Sequence, residues 1–269
     1  MKRFVKALLL VPALMLAGCN LSKEDAVSSY INGGGNGGNG GGGNGFNLTM
    51  AESGNSAVKT LSEREGGVAI TFTFASYVDS EADMGATVTL SRVGNIEWAT
   101  VEAFYMDGTE KVEQTIGGAI EIREGVNAGI DAYYYNAETQ GYEYYGTSYD
   151  PDVQLLAETF TFEVLEQWLT LDNAYLAAAI YMGIDGTIGD MIAGQSCMTF
   201  TLNHANCPDY FQGADNLSFS FSLSTRLLMR VHNTHYEYDN EGVPTIYQQN
   251  VDVSGFTTAG LVPSLTKNA

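Results

Sequence analysis

From residue 68 onward, apolar and polar side chains alternate with a period of two. Val68, Ile70, Phe72 and Phe74 fall on one side of an extended chain, and Ala69, Thr71, Thr73 and Ala75 on the other. Such alternation marks a half-buried strand. The same pattern predicts strands over Thr87 to Val93, Ile96 to Met106 and Lys111 to Ile116, the last two joined by a turn at Asp107-Gly108. An Asp-Gly pair between alternating runs is a hairpin signal, because glycine enters the left-handed region that tight hairpin turns require. Further strands are predicted at 128–135, 142–147, 197–203, 217–223, 226–238 and 244–253, all rich in β-branched and aromatic residues. Between them, Asp150-Pro151-Asp152 has the form of a helix N-terminus, whereas Phe160, Phe162 and Val164 alternate as in a strand. A short helical turn followed by a hairpin around Asp172-Asn173 accommodates both. The expected fold is all-β, an antiparallel sandwich or sandwich-like domain over residues 46–269.

The first 45 residues do not share this pattern. Lys2, Arg3 and Lys6 precede an apolar run from Ala7 to Leu16, which leads through Ala17 and Gly18 to Cys19. That run is too short to span about 30 Å of hydrocarbon, so residues 1–18 read as a signal peptide. Leu16-Ala17-Gly18-Cys19 resembles the lipobox of bacterial lipoproteins. The resemblance implies diacylation of the Cys19 thiol and cleavage just before it. Each buried methylene contributes about 0.8 kcal/mol, so two or three acyl chains hold a protein on a membrane almost permanently. By the same resemblance, Asn20 in place of aspartate favours the outer membrane, on its periplasmic or its cell-surface side.

Residues 19–45 then read as a lipidated cysteine and a flexible tether. Ten of the thirteen residues from Gly33 to Gly45 are glycine and the other three are asparagine. Nothing there can be buried, and glycine loses the most backbone entropy on ordering, so a disordered coil is expected. The 26 residues from Asn20 to Gly45 give a root-mean-square span of about 28 Å and a taut limit near ~90 Å. A glycine run behind a lipidated cysteine resembles the arrangement in surface lipoproteins of the transferrin-binding and factor-H-binding types. Their barrel-closing motif is not found here, and their ligands are not carried over. Residues 62–74, opening Ser62-Glu-Arg-Glu-Gly-Gly-Val68, are similar to the first strand of Calx-β and other Ig-like adhesin modules, which implies a sandwich and no particular ligand.

Charge narrows the partners. Twelve Lys and Arg face thirty-two Asp and Glu, a formal net charge of −20, and three of those bases lie in the leader. Such a field disfavours nucleic acid, which rewards a basic patch. The acidic loop Asp79-Ser80-Glu81-Ala82-Asp83 does not have the spacing of an EF-hand. It reads as a solvated loop.

Candidate chemistry is sparse. Cys197 and Cys207 have nine residues between them, and an exported protein folds in oxidising surroundings, so a disulfide is expected. Closing that loop would contribute roughly 3 kcal/mol. His204 lies between the two cysteines, but the spacing is not that of a zinc site. His232 and His235 sit on a predicted strand and point to opposite faces, so they do not share a metal. No metal and no cofactor is expected. No nucleophile elbow, zincin or phosphate-loop motif appears, and no catalytic residue can be named. A carboxylate hydrolase needs only two well-placed acids, and thirty-two acidic side chains supply many pairs.

Tyrosine is concentrated in one place. Tyr133, Tyr134, Tyr135, Tyr142, Tyr144, Tyr145 and Tyr149 fall in a predicted hairpin that turns near Glu138 to Gly141. Tyr134, Tyr142 and Tyr144 are expected to line one face, as a surface for a glycan or protein ligand. Cross-strand packing of the rings would serve the hairpin equally well. The function expected is that of a non-enzymatic, lipid-anchored envelope protein used in binding or adhesion. The alternatives are a membrane-tethered, carboxylate-dependent polysaccharide hydrolase and a periplasmic envelope-assembly factor.

Overall fold

The computed structural model describes residues 66–125, 128–147, 186–206, 208, 211–225 and 227–267. The leader, Cys19, the glycine run, the 151–184 stretch and Cys207 lie outside the described residues. Twelve strands follow one another: β1 (Val68–Val78), β2 (Glu81–Val93), β3 (Ile96–Asp107), β4 (Glu110–Arg123), β5 (Gly129–Asn136), β6 (Gly141–Thr147), β7 (Thr187–Ile192), β8 (Gln195–Asn203), β9 (Asn216–Ser222), β10 (Leu228–Tyr238), β11 (Pro244–Thr257) and β12 (Leu265–Thr266). The all-β, antiparallel class read from alternation is the one observed. Only the two-residue β12 runs parallel to its neighbour, β6.

All twelve strands hydrogen-bond into one sheet, in the order β12-β6-β5-β4-β3-β2-β1-β11-β10-β9-β8-β7. The sheet has two meanders, β1 to β6 and β7 to β11, joined where β1 pairs with β11. Its connection from β11 to β12 shows that it curls. Seven strand spacings separate those two strands, or about 34 Å along a flat sheet. The eight steps from Thr257 to Leu265 reach at most about 29 Å. The sheet must bend back to bring β6 within reach.

One face carries the main core. Val68, Ile70, Phe72 and Phe74 of β1 pack with Val88, Leu90, Ala99, Val101, Ile116, Ile120, Val251 and Val253, all buried. Register carries the same face onward, because Phe74 pairs with Val251, Val251 with Val231, Val231 with Phe219 and Phe219 with Phe200. The Phe200 and Phe219 rings stack 5.5 Å apart. The opposite face is polar at its centre, where the Thr71 and Thr89 hydroxyls lie 3.0 Å apart.

Turn chemistry closes the hairpins. Gly108 takes φ +65°, as expected of the β3–β4 turn, and Ala193 and Gly194 take +48° and +75° between β7 and β8. The β1–β2 turn uses Asp79 and Ser80 at φ +49° and +71°, with no glycine. Two further hydrogen bonds support that turn: Asp79 Oδ1 accepts from the Ile246 amide at 2.8 Å, and the Asp79 amide donates to the Ile246 carbonyl at 2.8 Å. β7 was not legible as a strand, because Thr-Ile-Gly-Asp-Met-Ile has a central glycine and mostly exposed side chains.

Candidate functional site

The expected disulfide is not formed. Cys197 is a free, buried thiol, packed in the core with Ile192, Leu227 and Met229. Its Sγ donates to the Gln195 carbonyl at 3.4 Å, and burial pushes its pKa up. The chain continues six strand residues from Cys197 to Asn203, about 20 Å. There Asn206, the neighbour of Cys207, is tied back by its amide to the Asn203 carbonyl at 3.3 Å and by Nδ2 to the Thr201 carbonyl at 2.8 Å. A bridge needs Cα atoms within about 7 Å. Asn203 and Asn206 lie towards the opposite end of β8 from Cys197.

The tyrosine hairpin is present, but its faces differ from the expectation. Tyr133 pairs with Tyr144, Tyr135 with Tyr142, and Tyr134 with Glu143, and the register shifts only beyond them, between Tyr133 and Ala132. Tyr142 and Tyr144 therefore share a face with Tyr133 and Tyr135, while Tyr134 points to the other side. Tyr142 is only 6 % exposed. It joins Ala119, Tyr133, Trp98, Tyr135, Tyr144 and Leu265 in a small second core. The Tyr133–Tyr144 and Tyr135–Tyr142 rings meet at 5.7 and 5.4 Å. On the far side, Tyr134 donates to Glu143 Oε2 at 2.5 Å, and Asn136 Nδ2 donates to Glu143 Oε1 at 2.8 Å. Those hydrogen bonds hold the Glu143 carboxyl below its usual range. Cross-strand packing, not display, is what most of these tyrosines do.

A polar constellation that the sequence did not single out lies on the polar face, where β7 to β11 meet. Register brings Thr199 opposite Ser220, Ser220 opposite Arg230 and Arg230 opposite Asp252. Arg230 Nε donates to Asp252 Oδ1 at 2.6 Å, and His232 Nε2 lies 2.9 Å from Asp252 Oδ2. Arg230 Nη1 is 3.8 Å from Asp190 Oδ2, which accepts from Thr199 Oγ1 at 2.6 Å. Thr199 and Ser220 hydroxyls lie 2.8 Å apart. Burial pushes the Asp252 carboxyl up, yet hydrogen bonds from His232 and Arg230, with their charges, outweigh it and hold the group below the usual carboxylate range. Only the two-residue period along β10 and β11 hinted at this. Arg230 and Asp252 lie more than twenty residues apart, and no spacing rule pairs them.

The arrangement offers fixed donors and acceptors rather than a poised acid. An ion-paired aspartate is a poor proton donor at neutral pH. His235 is on the opposite face of β10, as expected, with Nδ1 3.3 Å from Asp215 Oδ2. His204 Nδ1 lies 2.7 Å from the Phe211 carbonyl. Among the described residues, no group of three or more His, Cys, Asp and Glu side chains is placed to hold a metal ion.

No family model matches the chain, and no curated protein matches it. Among solved structures it is similar to a DUF1329 family protein from Desulfovibrio piger, at 9 % identity and a TM-score of 0.28, over 79 % of this chain and 95 % of that one. A likeness of that degree carries no argument about fold or activity.

Proposed function

We propose that this protein is a lipid-anchored envelope protein whose β domain binds a ligand without transforming it. The observation that carries the reading is Leu16-Ala17-Gly18-Cys19 in register behind a basic segment and a short apolar run, followed at once by the glycine run. Acyl chains on Cys19 would hold the protein to the outer membrane, and the tether would let the domain stand off and reorient. Support for binding over hydrolysis comes from the Arg230–Asp252–His232 network, whose central carboxylate is ionised and doubly engaged. A glycosidase acid must instead have its pKa raised. The Arg230, Asp252 and His232 side chains, each about three-tenths exposed, suit the hydroxyl groups of a glycan, so that face replaces the tyrosine hairpin as the ligand surface.

Fractionation of cells carrying wild type or Cys19→Ala tests the anchor. The variant is expected in the soluble fraction, and a variant that remains with membranes overturns it. Binding to immobilised bacterial and host glycans, compared between wild type and His232→Ala, tests the surface. A tenfold or greater loss of affinity is expected, whereas release of reducing sugar by the wild-type protein would move the reading to a hydrolase.

A further inference from the structure

The C-terminal segment occupies a socket that is complete without the segment itself. Leu265 pairs with Tyr142 and Thr266 with Glu143 along the outer side of β6. The Leu265 side chain packs against the buried cluster of Ala119, Tyr133 and Tyr142. Two residues later, Lys267 Nζ lies 2.6 Å from Asp131 Oδ2 and 5.6 Å from the centre of the Tyr144 ring. Asp131 is only 3 % exposed. Its other cation, Arg123, brings Nε to 3.1 Å, but that N–H is aimed off the carboxylate and makes no hydrogen bond, while Nη2 donates to Thr147. Lys267 is therefore the hydrogen-bonding partner of a buried carboxylate, and an unpaired buried charge is costly. The socket reads an apolar residue and a lysine two positions apart on an extended strand.

The connection that delivers this segment is long and irregular, and most of it is exposed. It must bring Leu265 across a sheet wider than its own reach, which only the curl of the sheet allows. It has no regular structure between Thr257 and Leu265, and although Ala259 is buried, Leu261 is 97 % and Val262 40 % exposed. Arms of this kind exchange between copies at low cost, because the arm packs into a partner's socket just as it packs into its own.

We propose that residues 258–267 form an exchangeable arm and that the β6 edge with Asp131 is a docking site for the same arm of a second copy. The occupant is fixed by complementarity: the chain itself carries the Leu-x-Lys segment, and charge favours Lys267 of one acidic copy at Asp131 of the other. Exposed Leu261 and Val262 become covered where the two connections cross. Such exchange depends neither on the anchor nor on the ligand face.

Shortening the connection is the direct test. Deleting Leu261 and Val262 removes about 7 Å of reach and disfavours closure within one chain. That variant is expected to be chiefly dimeric by size exclusion with light scattering. Four glycines inserted at the same place should give monomer at the same concentration. A deletion variant that stays monomeric, with the arm open or closed, overturns exchange. A second measurement guards against misfolding. Asp131→Asn keeps an intact arm and Lys267→Ala an intact socket, so mixing the two is expected to give a one-to-one heterodimer that neither forms alone. Failure of the pair to associate, or equal dimerisation by the double variant, also overturns the proposal.

Discussion

At Asp252 one carboxylate engages both Arg230 and His232 of the neighbouring strand, so its loss should be felt beyond its own volume. Asp252→Asn leaves Arg230 with only the more distant Asp190 and is expected to cost about 1–3 kcal/mol at pH 7. The folded-state pKa of Asp252 is depressed, so its stabilisation is present above the ordinary aspartate range, near ~4, and is lost as pH falls through the folded value. Urea unfolding should therefore show a gap between wild type and variant at pH 7 that narrows towards pH 3. A gap of constant size would show that the charge is not its source. Gly117 offers a second test. A Cβ there would lie 2.9 Å from the Ala99 carbonyl oxygen and 2.9 Å from Tyr135 Cβ, so Gly117→Ala should force Tyr135 off the second core and lower the thermal midpoint. A midpoint unchanged from wild type would rule out that close approach as a constraint.

At the scale of the element, alternation alone revealed most strands of both meanders, because burial of one face imposes a period of two. It did not reveal the register of β5 and β6. The turn pairs Asn136 with Gly141, and two residues back along each strand that register sets Tyr134 opposite Glu143, so Tyr134 faces away from Tyr142 and Tyr144. A pairing one residue different would turn Tyr134 to the other face, and nothing in a tyrosine-rich sequence marks which register the turn selects. The β1–β2 turn shows another limit, since Asp79-Ser80 lacks the glycine that left-handed φ favours. Ser80→Gly, at φ +71°, should relieve left-handed strain and raise stability by about 0.5 kcal/mol after the entropic cost of glycine. Chemical denaturation would detect it as a higher midpoint with unchanged slope. A lower midpoint would mean that Asp79 and its hydrogen bonds to β11 already remove the strain.

Over the whole molecule, a net charge of −20 sets like charges against each other on a sheet with few bases. Raising ionic strength screens that repulsion more than it weakens the short, partly buried pairs at Asp131 and Asp252. The thermal midpoint is therefore expected to rise between low salt and about 0.5 M sodium chloride, where the Debye length has shrunk to a few ångströms. A fall would show that the ion pairs outweigh the repulsion. The sequence by itself determined the class of the fold and the place of most strands. Each follows from local periodicity or composition, which are properties of neighbours along the chain. Only the tertiary structure decided that the strands run on in one sheet, that the sheet curls far enough for β12 to reach β6, and that the Cys197 thiol is buried and free. It alone assembled Arg230, His232, Asp252 and Asp190, and Asp131 with Lys267. Those depend on which strands pair and in what register, and hydrogen bonds between distant strands leave no trace in the spacing of residues along any one of them.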